Sequence, residues 1–283
     1  MEVQAFAKLN LTLDVLGKRP DGYHDLCMVM QSITLHDTLI LTPNGGEEMR
    51  VGTNLSFLPT GEKNLAAAAA RRFWEALERP AQGLDIQIQK RIPVCAGMGG
   101  GSSDAAAVLR ALNQQEGEPF TPQELAELGE RVGSDVPYCV MGGTALAEGR
   151  GEKLTPLSPL PHCWVVACKP DFPISTPELF GRIDSVKLRC RPDTAGVLAA
   201  LEAGDLAGVA RRMYNVFEDV LPPRCRTRVL EVKHSLIQSG ALGVNMSGTG
   251  PTVFGLFEAY QKAADAMRCL QESGGEWFLA ESL

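Results

Sequence analysis

No run of about 18 consecutive apolar residues occurs in this sequence, and its opening, Met1-Glu2-Val3-Gln4, has neither a basic flank nor an apolar core. Neither a membrane-spanning helix nor a secretory leader is therefore expected, and the expected compartment is the cytoplasm. Positive charge is also in deficit. With 27 Lys and Arg against 34 Asp and Glu, the formal charge is −7, which leaves no overall field to attract nucleic acid or an anionic membrane surface. No nucleic-acid or membrane partner is expected. Histidine is scarce, at four residues, and the eight cysteines (Cys27, Cys95, Cys139, Cys163, Cys168, Cys190, Cys225, Cys269) include no C-x-x-C pair. That scatter argues against a structural zinc site, and no metal-ligating residue is assigned. The cysteines read as reduced thiols, mostly core fillers. What is present is apolar mass: 45% hydrophobic residues in 283 suffices for the core of one large domain or two ordinary ones.

Along the chain, the second half of Val3–Leu13 alternates apolar and polar residues and reads as a strand, with Lys8, Asn10 and Thr12 sharing one face. Further strands are expected at Thr38–Thr42, at the strict alternation Leu84-Asp85-Ile86-Gln87-Ile88-Gln89, and at Gly143–Glu148. Between them, Leu65, Ala69, Phe73 and Leu77 recur every fourth residue, a helical stripe. Thr121-Pro122-Gln123-Glu124 combines a capping box with proline at the first helical position, and Gly133 is placed to stop that helix. From Lys153 to His162 leucines and prolines interleave, which no helix sustains; the segment reads as a connection between two lobes. Beyond it, strands near Cys163–Cys168, Asn245–Phe257 and Trp277 mix with helices near Asp193–Ala203, Arg224–Ser239 and Glu258–Glu272. The mixture lacks strict βαβ alternation, so the expected fold class is α+β.

The segment Pro93-Val94-Cys95-Ala96-Gly97-Met98-Gly99-Gly100-Gly101-Ser102-Ser103-Asp104 is entered from a strand and left by an alanine-rich helix. Glycines let successive backbone N–H groups converge on a phosphate, and the following helix directs its positive end there. Ser102 and Ser103 add hydroxyls. The Gly-Lys-Ser/Thr ending of a Walker A loop is absent, the spacing does not fit G-x-G-x-x-G, and the protein-kinase signatures fail. A phosphate loop without its own lysine must receive its positive charge from elsewhere.

Together with this loop, Ala7-Lys8-Leu9-Asn10-Leu11 near the start and Asn245-Met246-Ser247-Gly248-Thr249-Gly250-Pro251-Thr252-Val253-Phe254 near the end resemble the three motifs of the GHMP kinase superfamily. Gly17-Lys18-Arg19-Pro20-Asp21-Gly22-Tyr23-His24, Gly133-Ser134-Asp135-Val136-Pro137 and Ser175-Thr176-Pro177-Glu178-Leu179-Phe180 narrow the resemblance to the branch acting on a cytidine-diphosphate-bearing alcohol of the non-mevalonate route to isoprenoid precursors. The resemblance implies a two-lobed α+β fold. A ribosomal-protein-S5-domain-2-like lobe, 1–152, would carry the ATP phosphate loop, and a ferredoxin-like lobe, 153–283, would complete the substrate site.

By the same resemblance, Lys8 and Asp135 map onto the catalytic pair, and ATP with Mg²⁺ is the expected phosphoryl donor. Tyr23 and Phe180 would sandwich a cytosine ring, with His24 at its polar edge, and Asn10 and Thr176 would lie against the diphosphate and alcohol. Asn64 and Lys90 occupy adenine-side positions, though each also reads as a cap or surface residue; Asp135 alone would read as a turn cap. Ser102, Ser103 and Asp104 all stand as candidates to touch Mg²⁺. The expected partner is a small molecule with a cytidine diphosphate moiety, and the expected assembly a monomer or weak homodimer. A kinase of the same fold acting on homoserine or mevalonate has no use for an aromatic sandwich, and a silent nucleotide sensor has no use for Lys8 and Asp135.

Overall fold

The computed structural model describes every residue of the chain except Glu62 and Arg189. In order, the elements are β1 (Glu2–Lys18), β2 (His24–Pro43), β3 (Met49–Thr53), α1 (Leu65–Ala76), β4 (Leu84–Gln89), α2 (Gly100–Gln115), α3 (Pro122–Glu130), α4 (Val136–Met141), β5 (Thr144–Gly149) and β6 (Lys153–Pro156). They continue with β7 (Trp164–Lys169), α5 (Thr176–Asp184), α6 (Thr194–Glu202), α7 (Leu206–Arg212), β8 (Tyr214–Asn215), a 3₁₀ turn (Val216–Val220), α8 (Pro223–Gln238), β9 (Gly243–Met246), β10 (Val253–Phe257), α9 (Tyr260–Leu270) and β11 (Glu276–Glu281). No described helix is long and apolar enough to cross a membrane.

Two compact units form, and neither is continuous in sequence. One comprises Met1–Ala7, His36–Val94 and Gly99–Gly142; the other comprises Lys8–Leu35, Cys95–Met98 and Gly143–Leu283. In the first, β4 pairs antiparallel with the end of β2, Ile88 opposite Leu39 and Ile86 opposite Leu41, and β3 adds in parallel. The alternation of β4 buries Leu84, Ile86 and Ile88 on one side. Four helices accompany these strands. Helix α2 is central among them, burying Ala105, Ala106, Ala107, Val108, Leu109, Ala111 and Leu112, and its small side chains allow α1, α3 and α4 to pack on it closely. The capping box of α3 is formed: Thr121 Oγ1 accepts from Glu124 N–H, and Glu124 reaches back to Thr121 N–H.

In the second unit, β5 pairs with the first half of β2, β6 with β5, and β8 runs parallel to β1 at Thr12 and Leu13. A separate antiparallel sheet has the order β11-β7-β10-β9. Read with α8 before β9 and α9 before β11, this is the β-α-β-β-α-β ferredoxin-like pattern, its first crossover lengthened by α5, α6, α7 and β8.

Three expectations differ from the structure. Strand β2 begins at His24, well before Thr38, because Met28, Val29 and Met30 are all buried in a strand paired on both edges, where polar alternation is not required. The segment Lys153–His162 is not wholly a connection: Lys153–Pro156 pairs antiparallel with β5, and an outer strand tolerates proline at its end. The cysteines are not mostly core fillers. Only Cys139, Cys163 and Cys168 are buried, whereas Cys95, Cys190 and Cys269 are exposed. Burial pushes the Cys163 thiol up to about 11 and that of Cys168 to about 12, so both stay protonated.

Candidate active site

Three segments far apart in sequence meet within the second unit. Lys8 N–H donates to Met98 O at 3.1 Å, and Thr252 N–H points to Ala96 O. Ser247 Oγ donates to Gly97 O at 2.8 Å and accepts Asn10 N–H at 3.2 Å. The Asn10 carboxamide is the hub: its Oδ1 accepts Lys8 Nζ at 2.8 Å and Gly248 N–H at 2.9 Å, while its Nδ2 faces Met28 Sδ. Lys8 is only 4% exposed and Asn10 wholly buried. An ammonium held out of water needs such oxygens around it. Asn245 Nδ2 donates to the carbonyls of Asn10 and Leu11, and Asn215 Nδ2 to those of Met246 and Gly248, which fixes the third segment against β1.

Gly97 has φ +76°, and a Cβ there would lie 2.1 Å from Ser247 O. The close approach of loop and third segment therefore requires glycine. Gly97→Ala is expected to cost about 2–4 kcal/mol, combining the left-handed conformation with a backbone clash. Urea unfolding of the two proteins would show it.

In the first unit, α2 begins after Gly99, whose φ is 69°, with no side-chain cap and no acidic residue in its first turn. The first amides of a 16-residue helix are thus left for an external anion. Beneath them lies an ion cluster. Lys90 Nζ donates to Asp37 Oδ2 at 2.5 Å and to Asp104 Oδ2 at 2.6 Å, and it sits 3.3 Å from where a Cβ on Gly100 would be. Asp37 Oδ1 also takes the N–H groups of Arg91 and Ile92. Asp104 Oδ1 has no hydrogen-bond partner among the described residues.

Burial, with Asp37 adding to it and Lys90 opposing it, pushes the Asp104 carboxyl up to about 7 from its ordinary 3.8. Between those values the folded chain binds more protons than the unfolded chain, so this group's contribution to stability falls as pH rises from about 4 to 7. Asp104→Asn cannot ionise. The variant is expected to gain on wild type as pH rises from 5 to 8, read from denaturant midpoints across that range.

Asp135 stands at the start of α4 with φ −88° and ψ −9°, and its side chain makes no capping hydrogen bond to that helix. The Gly133–Asp135 turn lies beside α2: a Cβ on Gly133 would be 3.9 Å from Ser102 Oγ. Of the hydroxyls in that first turn, Ser103 Oγ is committed to Phe6 O, while Ser102 Oγ has no hydrogen bond among the described residues. Asn64 caps α1 through Oδ1 and Ala66 N–H at 3.0 Å, and Nδ2 donates to Pro59 O. Among the described residues no cluster of His, Cys, Asp and Glu is arranged to hold a metal ion.

In the second unit, Tyr23 is 58% exposed, with the Arg150 guanidinium 5.2 Å from its ring centre. His24 is stacked on Phe180 at 4.6 Å with 27° between the planes, and Phe217 meets Phe180 edge-on at 5.0 Å. Thr176 and Thr249 share a hydroxyl contact of 2.8 Å, joining the start of α5 to the third segment.

Sequence reasoning missed Asp37, Asn215 and Asp184. Their partners lie 53, 31 and 160 residues away, and no local spacing announces such pairs. Among the described residues, the buried side-chain polar atoms without a partner include three on motif residues: Asp104 Oδ1, Asn245 Oδ1 and Thr252 Oγ1. Unsatisfied buried atoms on motif residues are of the kind found at functional sites.

Residues 64–143 match the GHMP kinases N terminal domain and residues 197–276 the GHMP kinases C terminal domain. A 4-diphosphocytidyl-2-C-methyl-D-erythritol kinase from Alkaliphilus metalliredigens is 44% identical over 268 residues, covering 94% of this chain and 91% of the relative. One from Clostridium tetani is 39% identical over the full length of both. Among solved structures, a 4-(cytidine 5'-diphospho)-2C-methyl-D-erythritol kinase superposes with a TM-score of 0.81 at 33% identity, covering 100% of this chain and 99% of that one. A homoserine kinase from Cytophaga hutchinsonii superposes at 0.74 with 20% identity over 100% and 94%, a likeness of fold alone.

Proposed function

Because the chain belongs to the 4-diphosphocytidyl-2-C-methyl-D-erythritol kinases, a family of GHMP kinases, we propose that it transfers the γ-phosphate of ATP to the C2 hydroxyl of 4-diphosphocytidyl-2-C-methyl-D-erythritol. The product feeds isoprenoid precursor synthesis by the non-mevalonate route. The observation that carries this reading is the hydrogen-bonded meeting of Lys8 and Asn10 with Gly97 and with Ser247–Gly248. It supports a phosphate loop whose lysine is supplied from another strand.

The amides that open α2 take the phosphate oxygens, and Lys8 offsets charge on the transferred group. The substrate hydroxyl oxygen forms the new bond to phosphorus as the bond to the ADP oxygen breaks, and the hydroxyl proton passes to Asp135 and on to water. A carboxylate is a weak base for an alcohol, but phosphoryl transfer through a loose transition state needs alignment more than deprotonation. Mg²⁺ brought with ATP would supply charge neutralisation on the phosphates when bound. Ser102 fits it with a hydroxyl oxygen. Asp104 is turned to Lys90 instead, and with it Lys90 acts on ATP by supporting the loop from beneath. Asn64 acts on the nucleotide side by fixing α1.

Tyr23 and Phe180 stack on the cytosine, His24 meets its polar edge, and Asn10 and Thr176 lie toward the diphosphate and alcohol. The organisation as 1–152 and 153–283, a cytoplasmic location, and a monomer or weak homodimer belong to the same reading. Steady-state ADP release with this substrate, homoserine and mevalonate in parallel tests it. Turnover confined to the cytidylated alcohol is expected, and preference for either other alcohol would overturn it.

A further inference from the structure

The His24 ring is held on two sides. Phe180 stacks on its face, and its Nε2 lies 2.6 Å from Asp184 Oδ1 at the end of α5. The other Asp184 oxygen takes Lys18 Nζ at 3.0 Å. The His24 side chain is 7% exposed and that of Asp184 29%, so this is a semi-buried pair rather than a fluctuating surface contact. First the bond to His24 and then that to Lys18 hold the Asp184 carboxyl below its ordinary value, which keeps it an acceptor near neutrality. An acceptor at Nε2 demands N–H there. Nδ1 is then the ring's remaining polar atom, and it has no hydrogen bond among the described residues.

We propose that Asp184 is a positioning residue for base selection: by accepting the Nε2–H of His24 it fixes the tautomer whose Nδ1 accepts a hydrogen bond from the exocyclic amino group of cytosine. This inference rests on the reading in which His24 meets the polar edge of the base. The chemistry discriminates, because cytosine presents a donor at position 4 and uracil presents a carbonyl oxygen. Two acceptors facing each other repel, and the uracil N3–H would reach Nδ1 only if the base slid along the stack. A site that demands a donor rejects the analogue lacking it, since its own buried acceptor is then left unpaired. Lys18, two bonds from the imidazole, keeps the carboxylate aimed without touching the ring.

The test compares wild type with Asp184→Asn, which keeps the size of the side chain but also offers a donor to Nε2. The first measurement is the ¹⁵N spectrum of the His24 imidazole in the free protein. Wild type is expected to show a protonated Nε2 and an unprotonated Nδ1, and the variant a loss of that pattern. The second is steady-state kinetics with the cytidylated substrate and its uridylated analogue. The variant is expected to raise KM for the cytidylated substrate roughly tenfold to a hundredfold, with kcat within about threefold, and to lower the cytosine-to-uracil ratio of kcat/KM by a similar factor. Asp184→Glu should recover part of the ratio. A purely structural role would depress both substrates alike and leave the ratio unchanged, which would overturn the proposal. So would a wild-type imidazole protonated on both nitrogens, or on Nδ1. Wild type that does not prefer the cytidylated substrate would instead overturn the functional reading, and the tautomer measurement keeps the two failures distinct.

Discussion

Asp135→Asn is expected to lower kcat by about 10²- to 10⁴-fold while leaving ATP affinity within a few-fold of wild type, because a carboxamide keeps the shape but can neither accept the proton nor carry the charge that orients the hydroxyl. The Asp135 side chain does not cap α4, and the turn is held by backbone hydrogen bonds from Val136 N–H to Gly133 O and from Cys139 N–H to Asp135 O. The amides opening α2 and the Lys90 cluster stay in place, so nucleotide binding is preserved. Steady-state ADP release paired with nucleotide titration separates the two. A variant retaining more than roughly a tenth of the wild-type rate would remove Asp135 from the chemistry.

Lys8→Ala is expected to cost about 10²- to 10³-fold in kcat, the range found when one preorganised group facing transition-state charge is removed. Because the phosphate loop carries no lysine of its own, nothing within it replaces the lost ammonium. The effect on stability should be far smaller than the effect on rate. Asn10 Oδ1 keeps Gly248 N–H as a donor, and taking an ammonium out of a buried position also removes its desolvation cost. Thermal unfolding should therefore move by only a few degrees while turnover collapses. In the double variant with Asp135→Asn the losses should be much less than additive, since groups that act as a unit fail together.

Much of this architecture is written locally. The capping box at Thr121 and Glu124 and the alternation of Leu84–Gln89 are decisions taken within a few residues, and both elements form where the pattern places them. The early part of β2 was not legible, because a strand paired on both edges loses the alternation that would betray it. Short elements such as α4, α7 and β8 carry too few residues for a period to show. The site was legible as segments but not as bonds. Lys90 reads as a surface or cap residue until Asp37 and Asp104 are seen to enclose it, and Lys18 and His24 give no hint that one aspartate some 160 residues on joins them. Nor does one sequence tell that Asn10 spends its carboxamide on Lys8 and Gly248. Such pairs are products of topology, and chain order conceals them.

The central claim is that this site moves the γ-phosphate of ATP to one hydroxyl of a cytidylated alcohol. Phosphorus NMR of the protein incubated with Mg·ATP and 4-diphosphocytidyl-2-C-methyl-D-erythritol tests it most directly, with Asp135→Asn alongside. A new phosphomonoester resonance rising in step with ADP, and all but absent with the variant over the same interval, is the predicted result. ADP formed without that resonance, or an equal resonance from wild type and variant, would contradict it.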